Sequence, residues 1–120
     1  MARQKPDHNQ DVLRNDTLRY AELFSKRDLD NLAELFCSDA VLSDPAEKTI
    51  AGKTAILAFM QRVFALENHF VCDVRNVWVD GATTILEFRL TIGSAALEGV
   101  DVIEWREGRI AAIRAYVNAN

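Results

Sequence analysis

Two periodicities divide the chain near Asn68. Before it, apolar residues recur every three or four positions; after it, they alternate. In the first part Leu13, Thr17, Tyr20 and Phe24 fall at i, i+4, i+7 and i+11, with Ala21 and Leu23 alongside. That spacing predicts a helix from Asp11 to Lys26 with one buried stripe. Ser25-Lys26-Arg27 breaks the run, and Asp28 is placed as the N-cap of a second, short helix with a stripe of Leu29, Leu32, Ala33 and Phe36, ending at Ser38-Asp39. Ala40 to Asp44 reads as a short extended segment stopped by Pro45, because a proline pushes the residue before it toward extended geometry. Residues 45–50 are expected to form a polar loop, and Ala51-Gly52-Lys53 leads into a third helix with Ile56, Phe59, Met60 and Val63 inward.

In the second part, Phe70 to Val79 and Thr83 to Ile92 read as strands joined by an Asp80-Gly81 hairpin turn. Leu86, Phe88, Leu90 and Ile92 share one face of the second strand, and Glu87, Arg89 and Thr91 share the other. Gly93-Ser94 turns the chain into a strand from Ala96 to Arg106; Glu107-Gly108 turns it again into a last strand from Arg109 to Val117. Helices followed by hairpin-linked strands predict an α+β domain with helices on one face of an antiparallel sheet. A four-stranded meander curls as it twists, so three helices closing it would enclose a conical cavity. Residues 1–8 read as a flexible polar lead-in, and residues 9–120 as a single domain.

The bulk numbers narrow the function classes. A chain of 120 residues has room for one core and one pocket. With 49% apolar and 27% charged residues and a net charge of -4, nothing favours nucleic acid or an anionic membrane. No run approaches the roughly 18 consecutive apolar residues of a membrane span. The N-terminus lacks the apolar segment of a secretory signal, and Cys37 and Cys72 are not spaced as a metal pair, so a cytoplasmic protein with reduced thiols is expected. His8 and His69 have no Cys or acid pair at ligand spacing, and the turn glycines do not form a phosphate loop; neither a metal nor a cofactor is expected.

Three residues carry candidate chemistry. Alternation in Gly99-Val100-Asp101-Val102-Ile103-Glu104-Trp105 puts Asp101 on the face of Gly99, Ile103 and Trp105. If that face is inside, burial raises the pKa of Asp101 and leaves a neutral acid able to donate a hydrogen bond to a developing oxyanion. If it is outside, Asp101 is a surface acid; spacing leaves both open, since Glu104 makes the same argument for the opposite face. Tyr20 lies on the buried stripe of the first helix, as a core tyrosine also would. Asp44, held before Pro45, suits a proton-carrying base, although taken alone an Asp before Pro more often forms an Asx turn or is a surface acid. Arg114, between Ile113 and Ala115, is expected on the outer face, and Trp78 and Trp105 in the core or an interface.

Leu18-Arg19-Tyr20-Ala21-Glu22-Leu23, Asp28-Leu29-Asp30, Leu35-Phe36 and Asp44-Pro45, together with Asp101, Gly108 and Arg114-Ala115, resemble the bacterial ketosteroid isomerases within the NTF2-like (SnoaL-like) superfamily. The resemblance implies an NTF2-like cone and an isomerase that shifts a carbon–carbon double bond of a hydrophobic ketone through a dienolate. Asp44 would be the base, and Tyr20 and neutral Asp101 the oxyanion donors; this mechanism, with its neutral oxyanion-hole acid, is an established pattern of catalysis. Where family members carry a tyrosine supporting the catalytic one, this chain has Met60, which cannot donate. The substrate pocket would be lined by Phe24, Phe59, Met60, Leu86, Phe88, Leu97, Ile103 and Trp105. The superfamily also implies alternatives: a polyketide cyclase, an epoxide hydrolase needing an Asp–Arg–Asp cluster that only Arg114 would complete, or a non-catalytic binding domain. Val100 and Val102, with Ile113 and Val117 beside them, predict an apolar outer sheet face through which two copies pair.

Overall fold

A computed structural model of the chain describes residues 6–44 and 48–119. The elements run α1 (Pro6–Ser25), α2 (Leu29–Ala33), β1 (Phe36–Asp44), β2 (Lys48–Ala51), α3 (Lys53–Phe64), β3 (Phe70–Asp80), β4 (Thr83–Ile92), β5 (Ala95–Arg106) and β6 (Arg109–Ala119). The helices pack on one face of a curved, open six-stranded sheet of order β2-β1-β6-β5-β4-β3. Every strand pair is antiparallel except β1 with β6.

The helical stripes pack as their spacing requires. Thr17, Tyr20, Ala21 and Leu23 of α1 are buried, and Ile56, Met60 and Phe64 follow at i, i+4 and i+8 on α3. Asp28 caps α2 by accepting from the Asn31 backbone N–H at 3.2 Å. Along β4, Thr84, Leu86, Phe88 and Leu90 face inward, as do Asp101, Ile103 and Trp105 along β5. The β5–β6 turn has positive φ at both Glu107 (52°) and Gly108 (80°), as a two-residue hairpin with matching twist requires.

The structure departs from the sequence expectations at four places. The first helix starts at Pro6, where a missing N–H costs no intrahelical bond, so residues 6–8 are helical; residues 1–5 of the expected lead-in lie outside the described residues. The second helix stops at Ala33, and Phe36 begins β1, where its ring is fully buried. Within the expected 45–50 loop, Lys48 to Ile50 belong to β2, which pairs with β1 from Asp44↔Lys48 to Val41↔Ala51; Pro45 to Glu47 lie outside the described residues. Finally, Ile113 is buried on the inner face of β6 and Val117 faces the cavity, so neither joins the outer face. β6 turns Arg114 and Tyr116 outward instead, and Arg114 donates to Glu104 at 2.8 Å.

Two devices curve the sheet around its contents. Register shifts between Val74 and Asn76 and between Glu104 and Trp105 mark bulges, which bend a strand and increase its twist. At Gly99 the β5 and β6 backbones press together: a Cβ there would come within 2.3 Å of the Tyr116 carbonyl oxygen.

Candidate functional site

A cavity of about 580 Å³ lies between α1, α3 and the concave face of the sheet. Tyr20 reaches it from α1, Asp44 from the end of β1 and Asp101 from the middle of β5. The sheet register explains why the two acids share it. Asp101 pairs with Leu86 on one side and Ala115 on the other. On the next strand, Ser43 pairs with Arg114, so Asp44 follows at the level of Ala115. The acids thus occupy one inward row two strands apart, about 10 Å between Cα atoms at ordinary strand spacing.

Asp101 is 8% exposed and Tyr20 4%, and among the described residues no hydrogen bond is made by either side chain. Neither leaves a fully enclosed, unsatisfied atom, so both polar ends open into the cavity. Burial, followed by the nearby charge of Asp44, pushes the Asp101 carboxyl up to about 7. Burial, then Asp101, then Cys72 hold the Tyr20 phenol well above its usual range. The Tyr20 phenol therefore keeps its proton at neutral pH, and the Asp101 carboxyl keeps its own up to about 7, so that both offer O–H donors without positive charge on the acid side of neutrality.

The remaining lining is apolar apart from exposed Arg62. Phe24, Phe59, Met60, Leu86, Phe88 and Leu97 all contribute to the wall. Ile103 and Trp105 do not: they lie one and two inward positions beyond Asp101, toward the β5–β6 turn, where the core is closed. There the Trp105 indole N–H donates to the Thr84 hydroxyl at 2.9 Å, and Thr84 and Thr17 share a hydrogen bond of 2.8 Å.

Around the cavity, aromatic packing holds the ring of Tyr20. It meets Phe36 edge-on at 6.3 Å between centroids and Phe24 at 6.0 Å, while Phe24, Phe64 and Phe70 pack mutually at 5.0–5.6 Å. Arg27, in a left-handed conformation (φ 58°), donates to the carbonyls of Phe64, Glu67 and Asn68 and lies over the Phe70 ring, anchoring the chain that follows α3. Arg62 and Leu66 line the cavity as exposed residues. Among the described residues no group of three or more His, Cys, Asp or Glu is gathered as metal ligands, and no helix is long and apolar enough to cross a membrane.

The family model of the SnoaL-like domain matches residues 17–113, a span reaching from the start of the buried α1 stripe into β6. The chain belongs to the SnoaL-like domain family. Solved structures share the NTF2-like fold of this SnoaL-like domain. An NTF2-like protein of unknown function from Burkholderia xenovorans LB400 superposes with a TM-score of 0.81 at 18% identity, over 92% of this chain and 86% of that one. A provisional ketosteroid isomerase from Kribbella flavida DSM 17836 gives 0.80 at 21% identity, over 90% and 78%. A provisional SnoaL-like polyketide cyclase from Shewanella denitrificans OS-217 gives 0.77 at 18%, over 89% and 90%. No curated protein matches the sequence.

Several wall residues of this SnoaL-like domain had no individual signal in the sequence. Ala115 and Val117 face the cavity because β6 is an interior strand, flanked by β5 and β1. Cys72 lines it from β3, where its alternation with buried Phe70 was the available cue. Burial, then the charges of Asp101 and Asp73, push its thiol up to about 12, so it stays protonated and unreactive. Arg114, the arginine an Asp–Arg–Asp cluster would require, lies on the opposite face of the sheet.

Proposed function

We propose that this SnoaL-like domain is an enolising isomerase that shifts the double bond of a hydrophobic β,γ-unsaturated ketone into conjugation by moving a proton through a dienolate. The observation that carries the reading is the cavity itself: two deeply buried O–H groups without protein acceptors and a second carboxyl in the same inward row, in a wall that is otherwise apolar except for exposed Arg62. The carbonyl oxygen of the substrate sits against Tyr20 and neutral Asp101. Asp44 takes a proton from the carbon next to the carbonyl; the electron pair moves onto the oxygen, and both donors meet the charge as it develops. Asp44 then returns the proton two carbons further along, leaving a conjugated ketone and the enzyme unchanged. The row geometry suits the step, because a spacing of about 10 Å between Cα atoms leaves room for an enol unit and a contact of about 2.7 Å at each end.

A second reading uses the same groups for ring closure of a polyketide chain, Asp44 generating the enolate that attacks a second carbonyl. What favours it is the occurrence of SnoaL-like polyketide cyclases, provisionally assigned, among the structural relatives, and Met60 in the cavity wall, a side chain with no hydrogen to donate to the phenol.

Ultraviolet detection of conjugated-enone formation from a β,γ-unsaturated 3-ketosteroid, in wild type and Asp44→Ala, tests the first reading. Turnover in wild type, lost by a factor of roughly 100 to 10,000 in the variant, is the expected result. Equal turnover in both overturns the role of Asp44. No turnover in either retires the steroid substrate and moves the weight to ring closure or to binding without reaction.

A further inference from the structure

The Tyr20 hydroxyl makes no hydrogen bond to the described residues. Beyond the packing of its ring against Phe24 and Phe36, its position follows the backbone of α1. Apolar packing is non-directional and leaves a helix free to slide or rotate by small amounts, whereas hydrogen bonds fix both. α1 is tied to the sheet by polar bonds on either side of Tyr20. Three residues before it, Thr17 lies in a buried chain: the Trp105 indole donates to Thr84 at 2.9 Å, Thr84 and Thr17 are joined at 2.8 Å, and Thr17 reaches the Leu13 carbonyl at 2.8 Å. One ordering uses every hydrogen once: Trp105 to Thr84, Thr84 to Thr17, Thr17 to Leu13. Five residues after Tyr20, the Ser25 hydroxyl accepts the Cys72 backbone N–H at 2.9 Å.

These two tethers reach different strands, and a third, farther from Tyr20, runs from Arg14 to the Val77 carbonyl of β3 at 2.6 Å. Thr84 stands on β4 one inward position from Leu86, the cross-strand partner of Asp101, and Cys72 stands on β3 in the cavity wall. Thr17 and Thr84 are fully buried in a core that is otherwise apolar at that end. Such a network, fully satisfied, specifies one arrangement where a purely apolar contact would permit several.

We propose that Thr84 and Ser25 are positioning residues, which hold α1 at the height and rotation that place the Tyr20 hydroxyl beside Asp101. The inference rests on the reading of Tyr20 and Asp101 as the oxygen-binding end.

The test compares the affinity of 2-naphthol with that of naphthalene. The ratio reads the oxygen-binding end, whereas loss of packing lowers both affinities together. Wild type is expected to prefer the phenol. Thr84→Val and Ser25→Ala are each expected to reduce that preference by roughly three- to tenfold, the size of one misplaced hydrogen bond, while Thr84→Ser keeps it within about twofold. Ser25 is only half-buried, so Ser25→Ala provides a well-folded case if Thr84→Val unfolds. A preference unchanged in both Thr84→Val and Ser25→Ala overturns the proposal and leaves the oxygen-binding end standing. So does a loss equal for phenol and hydrocarbon. A wild type without preference overturns the oxygen-binding end, and the positioning role with it.

Discussion

Asp101 pairs across the β5–β6 ladder with Ala115, and on the inner face that alanine alone stands between Asp101 and the level of Asp44 on β1. The small side chain keeps the two carboxyls in view of each other, which is why the charge of Asp44 contributes to the raised pKa of Asp101. Ala115→Leu would place a branched side chain between them, in the cavity rather than in packed core. The expected result is a loss of 2-naphthol affinity of at least about tenfold, in keeping with steric occlusion of a preformed pocket, with the far-ultraviolet circular dichroism unchanged. Wild-type affinity in that variant would mean that ligands do not occupy the space between the acids.

The titration of Asp101 gives a pH prediction with a definite sign. Its folded-state pKa, about 7, lies above the ordinary 3.8, so between those values the folded protein holds a proton that the unfolded chain has released. The contribution of this group to stability is therefore full below about 4 and is lost as pH rises to 7. Donation to a bound oxygen weakens over the upper part of the same window. In Asp44→Asn the midpoint should fall, because one cause has been removed, yet stay above 3.8, because burial is the larger cause and persists. Carbon-13 NMR of the Asp101 carboxyl would follow this directly. A midpoint that does not move in Asp44→Asn would show that the two acids do not interact.

Arg27 combines a left-handed backbone with a side chain that satisfies three carbonyls after α3. Arg27→Ala keeps the strain and removes the donors, with an expected cost of about 1–3 kcal/mol. Arg27→Gly loses the same donors and relieves the strain, so it should be the more stable of the two by roughly 1 kcal/mol. Urea unfolding of both variants measures the difference; an alanine variant as stable as the glycine one would remove the case for backbone strain.

The outward face of the sheet brings Trp78, Ile85 and Val102 into one cross-strand row, with Val100 and Tyr116 in the next. Trp78 is 50% exposed and Tyr116 57%, in a setting ringed by the Arg89–Glu98 and Arg114–Glu104 ion pairs. An apolar patch with a charged rim predicts pairing with a second copy. Sedimentation is expected to give a dimer at micromolar concentration and a monomer after Val102→Asp with Tyr116→Asp. A wild-type monomer would remove this surface as an interface.

Much of the architecture was legible because it follows from periodicity. The stripe through Thr17, Tyr20 and Phe24 and the alternation through Leu86, Phe88 and Leu90 gave the helices, the long strands and their faces. Alternation cannot say which face is inside, so Asp101 and Glu104 stayed equivalent until α1 and α3 were seen to cover one of them. Nor does it give height along a strand: Ile103 and Trp105 share the face of Asp101 and lie outside the cavity, because Thr84 and Thr17 fill that level. β2 escaped notice because Lys48-Thr49-Ile50-Ala51 is short and mostly polar, and its extended form is supplied by pairing with β1. The inward turn of Ile113 and Val117 depended on the parallel β1–β6 contact, a long-range pairing with no local trace in sequence.

That parallel contact also sets an order of events. β1 and β6 are separated by more than half of the chain, and β6 leaves the ribosome after the other five strands of this sheet. Until it docks, β1 has only β2 beside it, and no continuous row links Asp44 to Asp101. Pairings so distant in sequence form late, because the loop between them must be closed first. A nascent chain can therefore acquire its helices and the β3–β5 meander while the two carboxyls remain apart, and the shared row of the cavity arises in a single step, when β6 docks.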